Sequence, residues 1–477
     1  MLKGEFMKFD VVFQNGTLVT ATETIDADLG ISGEKITAIG QNLPKEGAKI
    51  INARGKYLLP GGIDAHTHME FPFMATTSAD DFESGTTAAA CGGITTIIDF
   101  ALQKSGETLE QTAKAWRKKA DGKVVIDYGL HMIIRDLNDR VLAEMKEMIG
   151  QGITSFKLFM TYRKEGLLLD DGAIFRVMEE AAQHHGLIGL HCENNDLIEC
   201  LMSRYLKEGR KEPKYFARSK PPVVEGEAVH RAIRLAEYSG CPMYVVHMST
   251  EMGAETICEA QHSHLPVYAE TCPHYLVFTD DVYNRPDGAN FVMSPPIKKR
   301  EDQEALWKGL AKGEIKTVGS DHCCFTSEQK KLGKEDFTKI PNGVAGTELI
   351  IPVLYHFGVS KNRITLNQMV QASSYNPARL FGLYPKKGTL AVGSDADIVV
   401  FDPEKEIRLT RENLHSKIDH SIYEAHTVKG YPVMTFSRGK LVQENGKFTG
   451  EKGHGKYQVR NPFKESEGKQ LLAPALV

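Results

Sequence analysis

Short β-branched runs alternate with longer, charged segments of helical periodicity between Pro60 and about Leu383, and this alternation limits the fold more than any other feature. The apolar runs have the length of strands that are buried on both faces. Repeated strand–helix units of this size predict a parallel sheet, and about eight of them close a (β/α)8 barrel of the TIM type. The predicted strands lie at 94–100, 124–130, 155–159, 188–191, 243–247, 267–270 and 317–321, and predicted helices lie at 107–120, 137–149, 171–184 and in a long region that ends at Ser239.

The two ends of the chain carry a second pattern, in which short β-type runs are separated by turns. Residues 8–58 include an Asn15-Gly16 turn of the hairpin kind, and matching runs return between residues 396 and 442. Neither set is long enough to bury a good core alone. We therefore predict one small β-sandwich built from both chain ends, with the barrel inserted between its parts. The predicted domains are 1–59 and 385–449 for the sandwich, 60–384 for the barrel, and 450–477 for an extended tail that could pack on a neighbouring subunit.

The composition favours a soluble cytoplasmic protein and excludes several classes of partner. Hydrophobic residues make up 41% and charged residues 25% of the 477 residues, and the formal net charge is -4. This balance predicts no nucleic-acid partner and no membrane surface as a partner. No run approaches the ~18 apolar residues of a spanning helix, and the N-terminus lacks a signal-peptide core. The 8 cysteines have no framework spacing, which fits reduced thiols.

A His-x-His pair follows the first turn of the barrel region. After Pro60-Gly61-Gly62, a strand-like run ends in His66-Thr67-His68. Because side chains alternate along a strand, both imidazoles point the same way, which is metal-ligand geometry. Such a short pattern also arises by chance, but other candidates fall at or just after predicted strand ends, where barrel strands converge on one face. These candidates are Lys157, His191, His247 and Asp321.

Lys157 is the unusual member of this set. It lies between Phe156 and Leu158 on a strand that should be buried, and burial favours a neutral amine. A neutral amine can add carbon dioxide and become a carbamate, whose two oxygens can bridge two metal ions. A shared water would then be acidified to hydroxide near neutral pH, and Asp321 would bind one metal and shuttle the proton. A lysine paired with a buried acid is the alternative that the sequence leaves open.

Motifs along nearly the whole chain resemble the cyclic-amidohydrolase branch of the amidohydrolase superfamily, and within it the dihydropyrimidinase and hydantoinase family. They include PGGIDAHTH, SFKLFMTY, GLHCEN, VVHMST, VMSPPIK and VGSDHC. The resemblance implies two divalent metal ions, with zinc expected and manganese as an alternative, bridged by N6-carboxylated Lys157 and a hydroxide. It assigns His66, His68, Lys157 and Asp321 to one metal, and Lys157, His191 and His247 to the other. It also implies substrate contacts from Tyr162, Ser294 and Asn342, and a homotetramer.

Local residues narrow the substrate class. Dihydroorotases typically carry an arginine two places after the second histidine, where this chain has Glu70, and the Asn-x-Pro-Gly sequence of allantoinases is missing. Phe73 and Phe159 suit an uncharged ring with a hydrophobic substituent, although both could simply pack against barrel helices. The tyrosine of the SFKLFMTY motif could stabilise an oxyanion.

The expected reaction is hydrolysis of the ring amide of dihydrouracil to 3-ureidopropionate, and of 5-monosubstituted hydantoins to N-carbamoyl amino acids. The small cyclic ureide would present its amide edge to backbone groups around Ser294 and Asn342. Two alternatives are an allantoinase or other cyclic-ureide hydrolase, and a non-enzymatic relative that keeps only the fold. The second alternative is weakened because all six expected ligand positions are filled.

Overall fold

The computed structural model describes residues 8–464, which contain two large β-sheets and the helices that cover one of them. The strands are β1 (Val11–Val19), β2 (Thr24–Ser32), β3 (Lys35–Gly40), β4 (Lys49–Asn52), β5 (Tyr57–Pro60), β6 (Gly62–Thr67), β7 (Pro72–Phe73), β8 (Thr76–Thr77), β9 (Ile94–Leu102), β10 (Asp127–Ile133), β11 (Ser155–Phe159), β12 (Leu187–His191), β13 (Met243–Val245), β14 (Val267–Thr271), β15 (Thr317–Val318), β16 (Ile398–Arg408), β17 (Thr427–Ser437), β18 (Lys440–Glu444) and β19 (Lys447–Phe448).

Eight parallel strands form the barrel, as the alternating pattern predicts. They pair in chain order from β6 through β9–β14 to β15. Residues that follow β15 close the ring on β6, since His68 N–H donates to His322 C=O at 2.9 Å and Thr67 forms a parallel bridge with His322. The prediction of a (β/α)8 barrel is confirmed.

Helices follow the barrel strands, and several of them begin at a polar cap. Thr108, Asn138 and Asp170 each accept a backbone N–H from the first turn of the next helix. The long helical region predicted to end at Ser239 is three helices, because Gly209 adopts a positive φ of 72° and prolines start the second and third. The helices are α1 (Phe82–Cys91), α2 (Leu109–Ala120), α3 (Asp139–Gly150), α4 (Asp171–Gln183), α5 (Asn195–Lys207), α6 (Pro213–Arg218), α7 (Pro222–Ser239), α8 (Glu251–His262), α9 (Pro273–Val277), α10 (Arg300–Lys312), α11 (Ser327–Lys330), α12 (Ile350–Val353), α13 (Leu366–Val370) and α14 (Asn376–Leu380).

Both chain ends contribute to a mixed sheet of nine strands, in which β16 pairs with β5 and thereby joins the two ends. Phe13 on β1 and Phe436 on β17 lie with ring centroids 5.1 Å apart, although two strands separate them in the sheet. Since neighbouring strands are ~4.8 Å apart, the sheet must curl over its own apolar core. The predicted sandwich is thus one continuous sheet. The sheet leads into the barrel through Pro60 and Gly61. A Cβ atom at position 61 would collide with the side chain of Thr95, so this position requires glycine.

The described part of the C-terminal tail lies against the barrel of its own chain. Gln458 N–H donates to Tyr128 C=O at 2.7 Å, and Arg460 is 2% exposed. The rest of the predicted tail, residues 465–477, lies outside the described residues. Beside the tail, Lys387 Nζ contacts the buried carboxylates of Asp127, Asp395 and Asp397 at 2.7, 3.1 and 2.7 Å, a group that we call the Lys387 cluster.

Within residues 8–464, we find no helix that combines the length and the apolar character needed to cross a membrane.

Candidate active site

A cleft of about 450 Å³ opens at the carboxyl ends of the barrel strands. Every residue that the sequence analysis selected lines it, together with Phe71, Leu167 and Cys323. The selected residues are His66, His68, Phe73, Lys157, Phe159, Tyr162, His191, His247, Ser294, Asp321 and Asn342. The barrel topology therefore brings together side chains that are up to 276 positions apart in the chain (66 to 342).

The His-x-His pair lies at the end of β6 and faces Asp321. His66 Nε2 is 3.1 Å and His68 Nε2 is 3.3 Å from Asp321 Oδ1. The donor atoms of the three residues all lie within 4.8 Å of one another. Within residues 8–464, the buried atoms His66 Nε2 and His68 Nδ1 make no hydrogen bond. Because partnerless buried polar atoms are costly, this group fits a bound cation.

His191 and His247 form the other side of the same group. Their ring centroids are 4.4 Å apart, and the ring of His247 lies 5.4 Å from that of His66. His191 Nε2 donates to Glu193 at 2.8 Å, which leaves its Nδ1 for a ligand. His247 Nδ1 is buried and makes no hydrogen bond with any residue that the structure describes.

Lys157 projects from β11 into this ring of imidazoles and is 1% exposed. Its Nζ lies 5.1 Å from the ring centroids of both Phe100 and Phe159. Burial lowers the pKa of Lys157 to about 8. Among residues 8–464, no carboxylate lies within ion-pair distance of this ammonium, so the alternative of a lysine paired with a buried acid finds no support.

The protonation states suit a metal site. Burial lowers the pKa of His68 and of His191 to about 4 and lowers that of His247 well below its ordinary value. A neutral imidazole is the form that binds metals. His66 differs, because the carboxylates of Glu270 and Asp321 overcome the effect of burial and raise its pKa to about 9. These two carboxylates give the site negative charge that a divalent cation would balance.

The backbone at this site is strained in a way that the sequence pattern does not reveal. Tyr162, His247 and Asp321 have φ values of 66°, 40° and 47°, in the left-handed region that non-glycine residues avoid. Each such residue costs roughly 1–3 kcal/mol and is typical of functional sites. The predicted strands 243–247 and 317–321 are consequently shorter, and end at Val245 and Val318. Positive φ is incompatible with a strand, so His247 and Asp321 lie just beyond the strand ends.

The remaining predicted residues form the outer wall of the cleft. Asn342 Nδ2 donates to Tyr162 Oη at 3.2 Å, and the ring of Phe73 lies 5.2 Å from that of Tyr162 in an edge contact. Burial raises the pKa of Tyr162 well above its ordinary value, so its phenol keeps its proton. Ser294 Oγ donates to Glu193 at 2.7 Å.

Sequence reasoning missed three buried polar residues that orient the candidate ligands. Glu270 accepts from His66 Nδ1 at 2.5 Å, and Glu193 accepts from Lys220 Nζ at 2.6 Å as well as from His191. Glu193 could have been found, because its His-x-Glu spacing places it on the face of His191. Glu270 stands at a predicted strand end, whereas nothing local to Lys220 signals its position.

A second group of potential ligands lies behind Asp321. The side chains of Asp80, His322 and Cys324 are buried within 4.8 Å of one another. His322 Nε2 donates to Asp80 at 2.9 Å, and the Cys324 thiol donates to the same oxygen at 3.1 Å. His322 Nδ1 accepts the N–H of Gly346 at 3.2 Å. These atoms therefore satisfy one another, and the group supports the closure of the barrel.

Comparisons with known proteins agree over nearly the whole chain. Residues 57–442 match the amidohydrolase family. A D-hydantoinase of Geobacillus stearothermophilus is 47% identical over 95% of this chain and 97% of that protein. The crystal structure of a dihydropyrimidinase from Brevibacillus agri superposes with a TM-score of 0.94 at 45% identity, and covers 95% of this chain and 99% of that chain. An L-hydantoinase (dihydropyrimidinase) from Arthrobacter aurescens is 32% identical, with a TM-score of 0.88 and coverage of 94% and 99%.

Proposed function

The chain belongs to the amidohydrolase family, and on that premise we propose that it hydrolyses the ring amide of 5,6-dihydropyrimidines and of 5-monosubstituted hydantoins. The relatives named D-hydantoinase and dihydropyrimidinase support this substrate class. So does the cleft, which is lined by Phe71, Phe73 and Phe159 and suits an uncharged ring with an apolar substituent. The product would be an N-carbamoyl amino acid, which is 3-ureidopropionate when the substrate is dihydrouracil.

Family membership implies divalent metal ions at this site, and we propose two, with zinc expected and manganese as the alternative. His66, His68 and Asp321 would hold one ion, and His191 and His247 the other. Lys157, carboxylated on Nζ, would contact both. The observation that carries this proposal is the convergence of six donor groups, among them three buried ring nitrogens that make no hydrogen bond within residues 8–464. The neutral state of three of the imidazoles supports it further.

Ions held there would supply an acidified water and polarise the ring carbonyl. Within the protein, Asp321 is the proton carrier: despite burial, His66 and His68 hold its pKa well below the ordinary value, so it is an unprotonated acceptor. It takes the proton from the attacking water and delivers it to the leaving ring nitrogen as the C–N bond breaks. Tyr162 keeps its phenolic proton and donates it as a hydrogen bond to the developing oxyanion.

Recognition of the ring would come from the loops around Ser294 and Asn342, whose backbone groups can pair with the amide edge common to all these substrates. Such recognition leaves the substituent facing the aromatic rim and would tolerate varied side groups. We also propose that the protein forms a homotetramer. Its molar mass in solution, measured by light scattering after size-exclusion chromatography, tests this.

The experiment that tests the function compares dihydrouracil, hydantoin, allantoin and dihydroorotate side by side. We expect turnover of the first two, loss of turnover after chelation, and recovery after zinc or manganese is added back. Exclusive turnover of allantoin or dihydroorotate would replace the proposed substrate class. Full activity of the metal-free protein, checked by elemental analysis, would remove the metal from the mechanism.

A further inference from the structure

A buried lysine outside the cleft connects the two loops that face the substrate. Lys330 is the last residue of α11 and is 2% exposed. Its Nζ donates to Val292 C=O at 2.8 Å, Pro341 C=O at 2.7 Å and Gly343 C=O at 2.8 Å. Val292 lies two residues before Ser294, and the other two carbonyls flank Asn342.

All three protons of this ammonium are therefore used to hold backbone carbonyls. Among the residues that the structure describes, no carboxylate forms an ion pair with Lys330, so its charge is stabilised by the three carbonyl dipoles and by the ring of Phe325, whose centroid lies 5.7 Å from Nζ. The two loops also contact each other directly, through a hydrogen bond of 3.0 Å from Gly343 N–H to Val292 C=O. Removal of the ammonium would leave three buried carbonyls without this donor, and the loops would lose most of their mutual restraint.

We infer that Lys330 is a positioning residue, which fixes the distance between the Ser294 and Asn342 loops and thereby sets the affinity for the substrate ring. This inference rests on the proposed function, because it assumes that these loops recognise the ring. It concerns substrate binding and not the chemical step, since Lys330 is not among the described residues that line the cleft and its hydrogen bonds go to backbone carbonyls.

The same arrangement gives a pH dependence. Burial lowers the pKa of Lys330 to about 7. The titratable groups that face it are Cys323, Cys324 and His420. Burial raises the pKa of both thiols well above the ordinary value and lowers that of the imidazole, so all three are neutral near pH 7. Above pH 7, Lys330 loses one of its three N–H donors, and the restraint on the loops weakens.

The test is Lys330→Met, with Lys316→Met as the matched control. Lys316 is also buried, donates to the Gly313 carbonyl, and has a pKa that burial lowers to about 8, but it lies just before β15 and is not among the cleft residues. For Lys330→Met we expect KM for dihydrouracil to rise about tenfold or more while kcat changes less than about threefold. Lys330→Arg, which keeps the charge and several donors, should recover part of the loss. Lys316→Met should leave both constants at the wild-type values.

The possible outcomes separate this inference from the proposed function. Equal KM values in wild type and Lys330→Met, or the same rise in Lys316→Met, would overturn the positioning role. If Lys330→Met does not fold, the KM of the wild-type protein for dihydrouracil is measured from pH 6 to 8.5. Dihydrouracil stays uncharged over this range, so its own ionisation does not change KM. A KM that rises above pH 7 supports the inference and a flat KM contradicts it. A wild-type protein that is inactive on every cyclic ureide would instead refute the proposed function.

Discussion

Glu270 is the residue whose substitution most directly tests how the candidate metal ligands are held. Its Oε1 accepts from His66 Nδ1 at 2.5 Å and from the N–H of His247 at 3.2 Å, and its Oε2 accepts from Tyr244 Oη at 2.8 Å. Glu270→Gln keeps the shape and an acceptor oxygen for His66. Tyr244 can accept from the new amide and still donate to Thr317 Oγ1, 2.5 Å away. The substitution therefore removes charge with little change in packing.

The size of the effect follows from the burial of the pair. The side chains of His66 and Glu270 are 1% and 0% exposed, so no solvent replaces the lost interaction. A hydrogen bond to a charged group contributes about 1.5–3 kcal/mol, and the neutral one that remains contributes about 0.5–1.5 kcal/mol. The net loss is about 1–2 kcal/mol, which corresponds to about 5- to 30-fold weaker metal binding. This agrees with the roughly 10- to 100-fold effects typical of residues that orient metal-ligating histidines.

The assay is a titration of metal-free protein with zinc against a chromogenic chelator, with urea unfolding as the measure of stability. The matched control is Glu225→Gln, since Glu225 is also buried, but the hydrogen bonds it accepts within residues 8–464 come from Ser249 and Thr250 and not from a candidate ligand. We expect weaker zinc binding only in Glu270→Gln. Wild-type affinity in that variant, or equal weakening in the control, would refute the role assigned to Glu270.

Three further predictions concern the cleft and the fold. Tyr162→Phe should lower kcat by about 10²–10³-fold with little change in KM, because it removes only the oxyanion donor; unchanged kcat in steady-state kinetics would contradict this. Lys157 must be a neutral amine to take up carbon dioxide, and burial lowers its pKa to about 8. At a fixed concentration of dissolved carbon dioxide, reactivation of metal-free protein with zinc should therefore accelerate as pH rises to about 8 and then level off; a rate independent of pH under that condition would exclude this step. Lys387→Met removes the cation from the three buried carboxylates of the Lys387 cluster. The free energy of unfolding, measured by urea titration, should fall by about 3–5 kcal/mol. A loss below about 1 kcal/mol would show that Arg438, which already pairs with Asp127 at 3.0 Å, compensates for the missing charge.

Much of the site could be read from the chain because a barrel converts local patterns into a shared location. His66 and His191 stand at the ends of buried strands, Lys157 lies within one, and parallel strands point their carboxyl ends to one face. Alternation along a strand accounts for the common direction of His66 and His68. For these residues, the alternation of side chains along a strand and the topology of the barrel were enough to predict that they line the same cleft.

The contacts that tune the site obey no such local rule. Glu270 reaches His66 across 204 positions of the chain, and Lys330 reaches Val292 across 38. The positive φ at Asp321 likewise depends on how the ring of strands closes through His322. Such features depend on distances between side chains of separate elements, and a single sequence does not contain those distances.

The sequence by itself determined the barrel, the joining of the two chain ends and the residues gathered at the strand ends, because periodicity and strand–helix order are local properties of the chain. Only the tertiary structure decided that the terminal strands form one curled sheet, which imidazole nitrogens are free, and which buried carboxylates and lysines hold the ligands and loops. Hydrogen bonds of 2.5–3.2 Å between residues far apart in the chain exist only once the packed core has fixed both partners.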